Sequence, residues 1–253
     1  MTLVTLLTDF GLDDTYVGQM KGAILAVSAS VTLVDLTHAV AAQDVHAGAF
    51  LLWSAVEPFA VGTIHVAVVD PGVGSERRAV ALRAPRGDVF VGPDNGLLWP
   101  AIERLGGCDL AIELSERRFW RPGPSSTFHG RDLFGPVAGH LANGVPLEQL
   151  GRPLEDPQQL ELPMARGLDG EVIHIDTYGN LITNLPAASL PENFEALIGA
   201  HRVPRASHYA AVAEGALLAL IGSSGLLEIS ARNASAAAIT GSQRGSRVTV
   251  KPV

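Results

Sequence analysis

The period of the apolar residues changes once along this chain, and that change restricts the folds open to it. In the first half, LVTLLTDF, VTLVDLTHAV, TIHVAVVD, AVALRA, DVFVGPDNG and LAIEL read as strands. Between them, TYVGQMKGAILAVSAS, DVHAGAFLLWSAVEPF, LLWPAIERLG and DLFGPVAGHLANG read as helices, the first with Val17, Met20, Ile24 and Val27 near helical spacing. A stretch with prolines at 146, 153, 157 and 163 interrupts the pattern. Beyond it the chain reads as strands only: GEVIHID, NLITNLP, HYAAVA, ALLALIG, LLEISAR and RVTVKPV. The predicted architecture is therefore α/β. An N-terminal domain (1–145) holds a mostly parallel sheet flanked by helices, a linker covers 146–164, and a smaller all-β barrel covers 165–253. At 253 residues, 47% of them hydrophobic, the chain can bury cores of that size.

Charge and cysteine content narrow the function. A formal net charge of −8 disfavours nonspecific nucleic-acid binding, which needs a basic face, and suits a cationic small molecule. The single cysteine, Cys108, permits no internal disulfide, and the expected setting is a reducing cytoplasm. No signal-peptide pattern opens the sequence and no apolar run is long enough to span a bilayer, so no membrane partner is expected. The eight histidines form no metal-ligand spacing, and neither a metal nor a cofactor is expected.

Several strands run into acids or sharp turns: Asp9 in TDFG, Asp35 in VDLTH, Asp70 in VVDPG and Asp94 in GPDNG. In an open parallel sheet, ligands sit beyond the carboxyl ends of the strands, so these turns are candidates for one shared rim. TDFGLDD places Asp9 where a carboxylate can accept both hydroxyls of a ribose, while Asp13 and Asp14 could equally cap the following helix. VVDPGVGSERR, Val68 to Arg78, lacks the spacing of a phosphate loop. GPDNG reads as a structural turn on Asn95-Gly96, and Arg78 as a structural cation. STFHGRDLFGP offers His129 as a candidate proton acceptor, with Arg131 and Asp132 as a structural pair. In IDTYGNLITN, the Asn180 amide can match an adenine edge, or the segment can simply be a hairpin turn. IGSSGLLEIS supplies a Ser-Ser-Gly turn between strands.

Taken in order, TDFG-x-DD-x-YVG-x-MKG, DPGVGSERR, GPDNG, TFHGRD, DTYGNLITN and GSSGLLEI resemble the S-adenosylmethionine hydroxide adenosyltransferases, relatives of the fluorinating and chlorinating enzymes, over about Thr5 to Ala236. The resemblance implies hydrolysis of S-adenosyl-L-methionine to adenosine and L-methionine in a homotrimer, with sites between subunits. It assigns Asp70, Arg77 and His129 to water activation, Asp9 to the ribose, and Asp13 and Thr15 to the methionine end. Phe128 and Gly130 would line the pocket near C5′, Asp176 would meet the ammonium, and Asn180 and Ala234 the adenine. Ser223, Ser224 and Glu228 match the C-terminal ligand turn. The halogenating relatives lack the acid and arginine of DPGVGSERR and carry tryptophan in place of Gln43. A halogenase and a non-catalytic adenosine or S-adenosylmethionine binder are the alternatives.

Overall fold

The computed structural model describes residues 2–163 and 165–253. Met1 and Met164, which fall at the ends of the expected N-terminal domain and linker, lie outside the described residues. The chain forms two compact units, one ending at Leu162 and the other beginning at Pro163.

The first unit is a sheet between two helical layers. Its strands are β1 (Leu3–Thr8), β2 (Thr32–Thr37), β3 (Ile64–Val68), β4 (Ala79–Arg83), β5 (Val89–Pro93), β6 (Leu110–Glu113) and β7 (Arg152–Pro153), in the spatial order β2-β1-β3-β5-β4-β6-β7. The pairings β2/β1, β1/β3 and β3/β5 are parallel. β4 is antiparallel to both β5 and β6, so β6 runs with β5, and five of the seven strands share one direction. Successive strand residues face opposite sides. Thus Leu6 and Val68 pack with α1 (Tyr16–Val27) and α4 (Gly135–Ala142), while Leu7 and Val69 pack with α2 (Val45–Ala55) and α3 (Trp99–Arg104). In α1 the buried residues are Val17, Met20 and Ile24, and Val27, the fourth member of the stripe read from the sequence, is half-buried.

Because β1, β3 and β5 are parallel neighbours, the residues just past their carboxyl ends, Asp9, Asp70 and Asp94, share one rim. Asp35 does not join them. It lies within β2, where its carboxylate takes Lys21 at 2.6 Å and faces His38 Nε2 at 3.2 Å.

The proline-rich stretch is not a free linker. Leu147 and Leu150 are buried in the first unit, β7 pairs with β6, and Leu154, Leu160 and Leu162 pack against the α2/α3 side of the sheet. Proline density marked an irregular path, but the leucines between the prolines supply the apolar area that holds it down.

In the second unit the order is β11-β10-β14-β8-β9-β13-β12, all antiparallel: β8 (Asp169–Ile175), β9 (Leu181–Pro186), β10 (Phe194–Ile198), β11 (His201–Pro204), β12 (Leu217–Ile221), β13 (Leu226–Ala231) and β14 (Arg247–Pro252). A bridge from Arg205 to Ala219, with the Ala206 N–H donating to the Ala219 carbonyl at 2.8 Å, nearly closes the sheet into a barrel. A short helix, α5 (Ala236–Thr240), follows β13. HYAAVA is not a strand; Tyr209–Ala211 forms a 3-10 turn. Conversely, β10 and β11 come from a stretch the sequence reading passed over, although β10 alternates buried and half-buried residues as a strand should.

Candidate active site

VVDPGVGSERR leaves β3 as a compact turn rather than a helix start. The Val73 N–H donates to the Asp70 carbonyl at 3.2 Å, Ser75 Oγ donates to the Gly72 carbonyl at 2.7 Å, and the Arg77 N–H donates to Ser75 Oγ at 3.2 Å. These bonds fold Arg77 back over Asp70. Arg77 Nε donates to Asp70 Oδ1 at 2.9 Å and Oδ2 at 3.0 Å, and Nη2 donates to Oδ2 as well. Nη1 donates to the Arg78 carbonyl at 3.2 Å, and the guanidinium lies 5.3 Å from the Phe134 ring centroid. Both side chains are nearly buried, at 11% and 6% exposure, which makes the pairing matter: in a dry site neither charge could stand alone.

His129 arrives from a separate loop. Gly74 sits at φ +78°, and its α-carbon lies so close to the Ser126 backbone that a Cβ would overlap the Ser126 carbonyl oxygen. The two motif loops therefore touch only because residue 74 is glycine. The 121–132 loop is tied by Asp132, which is fully buried and accepts from Arg131, Arg121 and the Ser125 N–H. Burial acts to raise the Asp132 pKa, but those hydrogen bonds outweigh it and bring it down to about 2. A π-helical turn, Gly130–Phe134, leads directly into α4. At its head, His129 Nδ1 lies 2.8 Å from Arg77 Nη2. A guanidinium only donates, so Nδ1 is the acceptor and the ring carries its proton on Nε2. Burial lowers the His129 pKa, and the Arg77 charge lowers it further against the pull of Asp70 and Asp132.

Beside this cluster the first unit has a cleft of about 500 Å³. Asp9, Phe10, Tyr16 and Phe128 line it, and Gln19, Ser125, Thr127 and Arg131 complete it. Phe10, Tyr16 and Phe128 meet edge to face, with centroids 5.2 to 6.2 Å apart. Asp9 Oδ2 accepts the Gln43 N–H at 2.8 Å, and Gln43 adopts φ +65° to present it. Behind this turn the Thr8 hydroxyl bridges His38 Nδ1 at 2.8 Å and the Phe10 N–H at 3.2 Å, while the His38 carbonyl takes the Gly11 N–H at 2.8 Å. Asp13 is exposed and Thr15 occupies the N-cap position of α1 without a side-chain cap; its Oγ1 accepts from Gln19 at 2.8 Å. Neither lines the cleft.

The second unit has its own cavity, of about 550 Å³. Asn180 and Ala234 line it, with Tyr178, Tyr209, Asn233 and Ser235. Asp176 organises the β8–β9 turn: Oδ1 accepts the Tyr178 and Asn180 N–H groups and Oδ2 accepts the Asn180 amide, each at 2.9 Å. The hairpin and the polar site are thus the same structure. Gly179, at φ +80°, packs against Ser235, joining the two loops that wall the cavity. Ser223 and Ser224 lie in the β12–β13 turn and Glu228 in β13, and none of the three lines the cavity. Glu228 is buried, accepting Tyr209 Oη at 2.7 Å and Ser230 Oγ at 2.6 Å, so it reaches the cavity through Tyr209. Burial, then the Glu228 carboxylate, push the Tyr209 pKa up to about 12. The sequence reading missed Tyr209 by taking its segment for a strand. Tyr16 stands in the YVG of the first motif but had no role assigned to it, and Gln19 was marked only by its place in the helix after TDFG.

Among the described residues, no group of three or more His, Cys, Asp or Glu side chains is placed to hold a metal ion, and no helix is long and apolar enough to cross a membrane.

Comparison with known proteins agrees across both units. The family model described as the SAM hydroxide adenosyltransferase N-terminal domain matches residues 4–151, and that of the C-terminal domain matches residues 170–249. The chain is 38% identical over 255 residues to the (R)-S-adenosyl-L-methionine hydrolase of Salinispora tropica, covering 98% of this chain and 97% of that one. A fluorinase of Nocardia brasiliensis is more distant, 31% identical over 218 residues, with 74% of this chain and 72% of that protein covered. The crystal structure of a conserved protein from Thermotoga maritima superposes with a TM-score of 0.92 at 33% identity, covering 98% of this chain and all of that one.

Proposed function

This chain belongs to the SAM hydroxide adenosyltransferase family, and from that premise we propose that it hydrolyses S-adenosyl-L-methionine to adenosine and L-methionine, with Asp70, Arg77 and His129 acting on the water. The observation that carries the site assignment is the single guanidinium that binds the Asp70 carboxylate and His129 Nδ1 together.

The chemistry asks little of the protein at the leaving group. Attack at C5′ breaks the C5′–S bond, and the sulfonium departs as a neutral thioether that needs no proton. The demand falls on the nucleophile, since bulk water has a pKa near 15.7. Arginine's permanent charge favours developing hydroxide beside it. His129, with Nδ1 engaged, offers its Nε2–H to orient the water oxygen, which leaves Asp70 as the base of the three. Hydroxide meeting a sulfonium neutralises charge, which a dry pocket favours.

For the substrate, Asp9 is the ribose ligand, its carboxylate pre-aimed by the Gln43 N–H. Phe128 and Gly130 lie next to His129 and serve C5′, and Asp13 and Thr15 serve the methionine end. In the second unit Asn180 and Ala234 take the adenine, Asp176 the ammonium, and Ser223 and Ser224 form the ligand turn, with Glu228 acting through Tyr209. We place these two half-sites on different copies within a homotrimer. Leu12 beside the first and Tyr178 in the second are 73% and 76% exposed, which leaves both free to meet another copy. The free thiol of Cys108 suits a reducing, cytoplasmic setting.

Incubating the purified protein with S-adenosyl-L-methionine and following adenosine by chromatography tests the reading. Adenosine well above a boiled control is expected. Formation of 5′-chloro-5′-deoxyadenosine in chloride would instead identify a halogenase, and binding of adenosine without turnover would identify a sensor.

A further inference from the structure

The GPDNG segment, Gly92 to Gly96, runs from the end of β5 into a turn, contributes no residue to either cleft lining, and reads from sequence as a plain turn. Its hydrogen bonds say more. Asn95 Nδ2 donates to the Val69 carbonyl at 2.9 Å, on the residue immediately before Asp70. The Asp94 N–H donates to the Arg78 carbonyl at 3.0 Å, on the residue immediately after Arg77. That same carbonyl accepts Arg77 Nη1 at 3.2 Å, so the turn and the guanidinium share one anchor. Asp94 Oδ2 accepts Arg78 Nε at 2.7 Å, and Oδ1 accepts the Gln158 N–H at 2.7 Å. Arg78 continues to Asp156 Oδ1 at 2.7 Å, so residues 156–158 brace the turn from outside. Asp94 itself is 5% exposed.

We propose that Asp94 and Asn95 are positioning residues that grip both ends of the Asp70–Arg77 loop and set where that pair meets the water. The proposal rests on the catalytic reading of Arg77 given above. The loop between Asp70 and Arg77 takes its shape from its own short turns, hangs between β3 and β4, and rests at Gly74 on the Ser126 backbone. Asn95 and Asp94 add a hold at each of its ends, on the Val69 and Arg78 carbonyls. A displacement of about 1 Å at a reacting group can cost roughly 100-fold in rate.

Asn95→Asp tests it. The new side chain keeps the oxygen that accepts the Leu97 N–H at 3.1 Å, so the turn survives, but it sets an acceptor against the Val69 carbonyl. The expected result is kcat lowered about 10- to 100-fold with KM and the Kd for adenosine within about threefold of wild type. Arg78→Lys, which loses the fork to Asp94 and Asp156, should show the same split more weakly. Arg77→Lys serves as reference. If Arg77→Lys turns over normally, the catalytic reading of Arg77 falls. If Arg77→Lys is impaired while folded Asn95→Asp and Arg78→Lys keep wild-type kcat, the clamp falls alone. Loss of folding in both variants, or KM rising in step with any fall in kcat, also overturns it, since the turn would then be a folding element.

Discussion

Arg77 Nη2 and His129 Nδ1 lie 2.8 Å apart although 52 positions separate them in the chain. The bond exists only while Nδ1 keeps its lone pair, because a protonated imidazole and a guanidinium would oppose two donors and two positive charges. Proton binding at His129 and the assembled site therefore exclude one another.

The first consequence is a pH limb. Burial, and then the Arg77 charge, hold the His129 pKa below the ordinary 6.5. The neutral ring, and with it kcat, should persist as pH falls through 6.5 and decline only at more acidic pH. The same sign holds for stability: with the folded pKa depressed, the contribution is intact above 6.5 and is lost as pH drops through the folded pKa. A kcat profile measured between pH 4 and 8 checks this; an acid limb centred above 6.5 would assign the titration elsewhere.

Replacing Arg77 by lysine keeps a cation but not the fork. One ammonium cannot hold both Asp70 oxygens and His129 in the same plane. We expect kcat to fall by about 100-fold, with adenosine affinity held within a few-fold, as read by steady-state kinetics and calorimetry. Alanine is the poorer probe, since it strands the 6%-exposed Asp70 carboxylate and could cost about 3–5 kcal/mol of stability.

Gly74→Ala attacks the contact between the two motif loops. The left-handed backbone alone costs an alanine about 1–2 kcal/mol, and its Cβ would press on the Ser126 carbonyl. The loop carrying His129 must then retreat from Arg77. A fall in kcat of at least about tenfold is expected, with a modest loss in Tm. Wild-type kcat in this variant would mean that the loop contact does not place His129.

In the second unit, Gly179→Ala would bring a Cβ to 2.7 Å from Ser235 Cβ and 3.1 Å from Ser235 Cα. The loops holding Asn180 and Ala234 should part, and adenosine affinity should drop by roughly tenfold or more, since about 1.4 kcal/mol suffices for that. Unchanged affinity by calorimetry would remove this cavity as the adenosine site.

Away from the site, Asp88 is fully buried between His65 and Arg86. Burial acts to raise its pKa, but the His65 ring 3.5 Å away and the hydrogen bonds that Arg86 donates prevail and bring it from 3.8 to about 2. Its stabilisation, roughly 2 kcal/mol, is therefore present above pH about 4 and lost as pH falls towards 2. Urea midpoints between pH 2 and 5 should drop less steeply in Asp88→Asn than in wild type; parallel curves would contradict the assignment.

Period and punctuation alone determined a good deal about this protein. The apolar spacing in Val17, Met20 and Ile24 and the apolar strand runs around them set the α/β unit, because burial of a helix face or a strand is decided by residues a few positions apart. The same logic put Asp9 and Asp70 just past parallel strands, and the order of the motifs carried the family. Only the tertiary structure decided how those parts combine. His129 meets Arg77 because Gly74 allows two loops to touch. Glu228 turns inward to Tyr209 instead of lining the cavity, and the leucines of the proline-rich stretch join the first core. GPDNG, an ordinary turn by composition, holds both flanks of the Asp70–Arg77 pair. Each of these depends on strand order and on loops closing over dozens of residues, and local residue spacing carries no record of such closures.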